Sequence, residues 1–199
     1  MINQILLQLI NKNNADELKI VSINPTKVEL KPYRITKYAY NKEITLECDN
    51  FNGILNMIQN RIDLFKEYSV NSYDEYNNLN YKENLPLIAI AIDEATFLLN
   101  EENSDERLKW IIENCKKTGT ILILTTNDLY NNFFKKGYNT LASIRISFDF
   151  VSNEDSKLTK LLNCHNLKLD EFLIETTESN QRKFNTFFFE NETINEILK

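Results

Sequence analysis

With 199 residues, 42% apolar and 26% charged, the chain is long enough for one well-packed domain and has none of the bias of a disordered or low-complexity protein. A net charge of −6 disfavours a free-standing nucleic-acid binder, because phosphate neutralisation by Lys and Arg supplies most non-specific affinity. A ring of copies converging on one duplex escapes that limit. The chain has no apolar run of the roughly 18 residues that a membrane helix needs. Residues 1–10 lack the basic start and small-residue cleavage site of a secretory leader, so a cytoplasmic protein is expected.

In chain order, Ile2, Ile5, Leu6, Leu9 and Ile10 follow helical spacing, and Leu18–Ile23 reads as a strand closed by Asn24-Pro25. A second helix runs roughly over 52–68, with Ile54, Leu55, Ile58, Ile62 and Phe65 on one face. Residues 71–84 are polar and read as loop or loose helix. Leu87–Ile92 is apolar at every position, which suits a strand covered on both faces, as in a parallel sheet. A helix over 106–117, a buried strand over 120–125 and an alternating strand over 144–148 follow. The spacing then predicts a helix over 154–162, a solvated acidic face over 170–178, a strand over 184–189 and a helix over 193–198. Strands alternating with helices indicate an α/β layered sheet, read as one domain over 1–199.

Cys48, Cys115 and Cys164 form no CxxC pair. An odd, scattered count points to free thiols in a reducing compartment. His165, beside Cys164, finds no second pair to complete a zinc set.

The chemistry concentrates at strand ends. Ligands of open α/β sheets bind beyond the carboxyl ends of the strands, and Asp93-Glu94 follow six apolar residues there. Such acids either meet a cation and water, or Asp93 simply caps a following helix. Asn127, just past the strand over 120–125, could face a phosphate or water, or serve as a turn residue. Arg145 could stabilise phosphate charge across a subunit boundary, or form a surface ion pair. Lys135-Lys136 beside Phe133-Phe134 could touch a DNA backbone or form a solvated turn.

These residues also carry a resemblance. Leu85-Pro86 followed by Leu87–Glu94 is similar to the Walker B segment of FtsK/SpoIIIE DNA translocases. Arg61-Ile62-Asp63-Leu64-Phe65, Val70 and Tyr76-Asn77 match that family's upstream pattern. Gly119–Thr126, Arg145-Ile146-Ser147-Phe148 and Asp155-Ser156-Lys157 match its downstream motifs at the same separations. Asn24–Leu30 with Tyr33 resembles its Asp-Pro-Lys-x-x-Glu-Leu segment, and the flavour is that of conjugative and plasmid members.

The resemblance implies a RecA-like P-loop NTPase, a layered sheet with helices on both faces, using ATP and Mg²⁺ to drive double-stranded DNA through a hexameric ring. Asp93 would then hold Mg²⁺ through water and Glu94 would activate water. Asn127 would stand near the γ-phosphate, and Arg145 would serve a neighbouring subunit. Three departures stand out. The Gly-x-x-Gly-x-Gly-Lys-Ser Walker A loop and its strand are absent from the sequence, which reads as an incomplete motor domain. Asn127-Asp128 replaces glutamine-arginine, and Asn24 and Thr26 replace charged residues. The alternative expectation is a nucleotide-free interaction module, inactive alone, that pairs with an intact translocase subunit.

Overall fold

An apolar run such as Leu87–Ile92 has no polar face to turn to water, so it must be covered on both sides. The computed structural model, which describes residues 1–23, 30–40, 51–79, 83–95, 98, 102–127, 132–148, 167–168, 170–176, 179–185 and 191–198, shows how. The chain divides into two units, one of residues 1–126 and 189–199 and the other of residues 127–188.

In the first unit, β1 (Leu18–Ile23), β2 (Leu87–Ile92) and β3 (Thr120–Leu124) form a parallel sheet in the order β1-β2-β3. Leu18 lies opposite Leu87 and Ile23 opposite Ile92, while Ile88 pairs with Thr120 and Ile92 with Leu124. Strand alternation splits β2 between two cores. Ala89 and Ala91 face the helix α1 (Ile2–Lys12), whose Ile2, Leu6, Leu7 and Ile10 pack with Leu18, Ile20, Tyr33 and Ile194. Small residues here let the helix lie close to the sheet. Ile88, Ile90 and Ile92 point the other way and are fully buried.

Apolar cover also comes from α2 (Phe51–Glu67), with Ile54, Ile58 and Phe65 buried, and from α4 (Ser104–Cys115), with Leu108 and Ile111 buried. These two helices pack on each other, and α4 also packs on β3. Between α2 and β2 lies a short helix α3 (Tyr73–Asn77) in the stretch read as loop or loose helix; Ser72 caps it by accepting the Glu75 N–H at 3.2 Å. The Asn77 amide then clamps Leu85 in both directions, at 2.8 and 3.1 Å, fixing the entry to β2. The outer edge of β1 is closed by Tyr38–Tyr40, since the Ile20 N–H donates to Tyr38 and the Tyr40 N–H to Ile20. Among the described residues no strand pairs with the outer edge of β3. The unit also includes the terminal helix, α6 (Asn191–Ile197).

The second unit holds α5 (Asn132–Lys135) and an antiparallel sheet of β4 (Ile144–Ser147), β5 (Glu171–Thr176) and β6 (Ser179–Asn185), with β5 central. Two expectations change here. The third strand, expected over 144–148 in an α/β layered sheet, is β4 and pairs antiparallel with β5. The stretch over 170–178, read as a solvated acidic face, instead contains the middle strand, because Phe172 and Leu173 are buried and its acids find cations across the ladder. The last predicted strand also begins earlier, at Ser179. The predicted helix over 154–162, Asn24–Glu29, Cys48, Asp128, Cys164 and His165 lie outside the described residues. No described helix is long and apolar enough to cross a membrane.

Candidate functional site

Parallel strands end together, so the residue after each strand arrives at one edge of the sheet, and Asp93, Glu94 and Thr125 meet there. The Asp93 N–H donates to Ile23 O of β1 at 3.0 Å, continuing the ladder. The Thr125 N–H donates to Ile92 O at 3.0 Å, and the Ala95 N–H donates back to Thr125 O at 2.8 Å. The Thr125 hydroxyl closes the arrangement. It donates to Asp93 Oδ1 at 2.7 Å and accepts the Glu94 N–H at 3.0 Å, which uses its single proton and one lone pair.

Glu94 has φ +54°, in the left-handed region that side-chain-bearing residues avoid. That conformation turns the chain sharply off the strand and leaves both acids half-buried, within reach of solvent. Non-glycine residues held there cost of order 1 kcal/mol or more and concentrate at functional sites.

The donor set is hard oxygen: the Asp93 carboxylate beside the Thr125 hydroxyl, with a second carboxyl on the adjoining residue, Glu94. Mg²⁺ takes such ligands, commonly one or two carboxylates with its remaining positions on water and phosphate. The residues therefore fit the ion expected there. Among the described residues no cluster of three or more His, Cys, Asp or Glu exists that would make a closed protein cage.

The other predicted site residues lie in the second unit. Asn127 is exposed, two residues past Thr125. Arg145 sits in β4 opposite Glu175 of β5; its Nε donates to Glu175 Oε2 at 2.9 Å and its Nη2 donates to the same oxygen. Lys135 and Lys136 are exposed, with the Lys136 ammonium 6.0 Å from the centre of the Tyr138 ring.

Arg61, flagged only by its motif, proves to be 6% exposed. Its Nη1 donates to Thr118 O at 2.6 Å and, more weakly, to Gly119 O at 3.4 Å; its Nη2 donates to Pro86 O at 2.5 Å. The guanidinium also lies over the Tyr73 ring. Burial lowers its pKa. The Thr118 carbonyl closes the turn after α4 and the Pro86 carbonyl stands just before β2, so a side chain of α2 joins the end of that turn to the start of β2. A cavity of about 630 Å³ lies beside it, lined by Tyr40, Asn56, Asn60, Arg61, Leu85 and Pro86 among others, at the end of the strands opposite the acids.

Comparison with known proteins gives no matching family profile. Curated relatives do exist. The DNA translocase SftA of Bacillus subtilis is 27% identical over 169 residues, covering 78% of this chain and 17% of the relative. The DNA translocases FtsK of Chlorobaculum tepidum and Clostridium tetani are 24% and 28% identical over 174 and 170 residues, covering 78% of this chain and 21% and 22% of theirs.

The chain is a homologue of the FtsK-type DNA translocases.

It spans about a fifth of the length of these FtsK-type relatives. The fold agrees. The cytoplasmic domain of the type VII secretion ATPase EccC of Thermomonospora curvata superposes with a TM-score of 0.78 at 14% identity, covering 98% of this chain and 26% of that one. The pCW3 conjugation coupling protein TcpA, solved with ATPγS, gives 0.72 at 18% identity, covering 98% of this chain and 58% of that one. The chain accordingly has the RecA-like α/β fold of those structures.

Proposed function

We propose that the chain is the strand-tip portion of an ATP-driven motor that moves double-stranded DNA, working as a ring of subunits, conjugative transfer being one such setting. The observation that carries this reading is the pair Asp93-Glu94 at the carboxyl ends of three parallel strands, with Glu94 held at φ +54°. When bound, Mg²⁺ supplies charge neutralisation of the nucleotide phosphates. Asp93 would hold that ion, and Glu94 would orient the attacking water and take its proton. Asn127 would serve the γ-phosphate. Arg145 serves the nucleotide of the adjacent subunit, which requires its guanidinium to exchange Glu175 for phosphate.

The test is ATP hydrolysis by the polypeptide as its gene encodes it, with and without double-stranded DNA. Stimulation by DNA, lost on Asp93→Asn, is the expected result. Absence of turnover, with co-purification of an intact translocase, would favour a nucleotide-free partner instead.

A further inference from the structure

One hydroxyl touches both acids of the strand-tip site. Thr125 Oγ1 donates to the Asp93 carboxylate at 2.7 Å and receives the Glu94 N–H at 3.0 Å, while the Thr125 main chain is tied to Ile92 and Ala95 on either side. The first contact fixes the plane of the Asp93 carboxylate. The second anchors the peptide that enters the left-handed turn at Glu94. Because four hydrogen bonds lock Thr125 to the tip of β2, its hydroxyl has no freedom to serve one acid without the other.

We infer that Thr125 is a positioning residue for divalent-cation binding at Asp93, setting the carboxylate's orientation and the path of the chain through Glu94 together. This rests on the reading of Asp93 as a cation-holding acid. It goes further by assigning the control of that acid to the neighbouring strand. Groups that orient a metal-binding carboxylate typically change metal affinity by roughly 10–100-fold when removed.

The test uses the isotope-labelled chain with Mn²⁺ alone as the probe, read as paramagnetic broadening of the backbone amides of residues 93–95. Comparison with Asp93→Asn isolates binding at this site from weak binding to other acids. Thr125→Val keeps the shape and removes the hydroxyl; roughly 10–100-fold more Mn²⁺ should then be needed for the same broadening. Thr125→Ser restores the hydroxyl and should return the titration to the wild-type range. A purely structural threonine would lower the melting temperature in Thr125→Val and leave the Mn²⁺ titration where it was, and that result overturns the inference. So does a Thr125→Ser titration as weak as that of Thr125→Val. Should Thr125→Val fail to fold, the double variant Thr125→Val/Glu94→Gly lets glycine make the turn without the hydroxyl; it should need more Mn²⁺ than Glu94→Gly alone, and equal titrations of those two variants overturn the inference. Broadening that is the same in wild type and Asp93→Asn would instead remove the cation reading itself, and the inference with it.

Discussion

Replacing Arg61 by Met removes a buried fork while keeping most of its volume. Arg61 is 6% exposed, so solvent screens little of what it does. Its contacts at 2.6 Å to Thr118 O and 2.5 Å to Pro86 O are charge-assisted, each contributing roughly 1.5–3 kcal/mol net in such settings. Seen from the other side, each carbonyl left unmet in the interior costs about 1–3 kcal/mol. Removing a buried cation recovers part of this, because its desolvation no longer opposes folding. The balance is a loss of roughly 2–4 kcal/mol, or a melting temperature lower by about 5–15 °C for a chain of this size. Arg61→Lys should fall between the two, since one ammonium cannot span Thr118 and Pro86 at once. Thermal unfolding followed by far-ultraviolet circular dichroism reads both variants. An Arg61→Met chain that melts with the wild type would show that the guanidinium is not the joint between α2, the end of α4 and the start of β2.

Three further outcomes are expected. Glu94→Gly relieves the left-handed backbone and should leave stability unchanged or raise it by up to ~1 kcal/mol in a urea titration, while removing the acid; clear destabilisation would mean Glu94 contributes to folding and is not strained. Gly119→Ala should destabilise by roughly 2 kcal/mol or more, since its Cβ would stand 2.2 Å from Tyr73 Cδ2 at φ +64°; a neutral result would place Tyr73 elsewhere. The Lys168 N–H and the Lys183 ammonium hold the Glu171 carboxyl below its ordinary value. The stability they confer is complete above that ordinary value and lost as pH falls through the lowered one, so Glu171→Gln should flatten the acid limb of a stability–pH curve, and an unaltered limb would contradict the pairing.

The first unit was legible because its strands are mostly apolar, and an unbroken apolar run such as Leu87–Ile92 admits few placements. The helix over 51–67 was equally plain, yet its buried stripe passes through Arg61, at helical spacing from Ile54, Ile58 and Phe65. An arginine on an apolar stripe was the available signal that it caps something buried; what it caps lies 25 and 57 residues away. The central strand of the second unit was misread for a related reason. Phe172-Leu173-Ile174 is short and flanked by acids, and the cations that offset those acids, Arg145 and Lys183, come from other strands. Asp93 and Glu94 could be found from their place after an apolar strand. Thr125 could not be ranked above Asn127 by residue type, since both can hydrogen-bond. Only the parallel register, which puts the residue after Leu124 beside the residue after Ile92, selects the threonine.

The account turns on Glu94 acting on water and not on nucleotide binding. Glu94→Gln in the polypeptide as its gene encodes it separates the two when MgATP binding and single-turnover hydrolysis are measured on the same preparation. Binding should be retained while hydrolysis falls by roughly 10²–10⁴-fold, the usual contribution of a positioned general base. Hydrolysis at the wild-type rate by that variant would remove Glu94 from the chemistry and, with it, the reason given for its strained backbone.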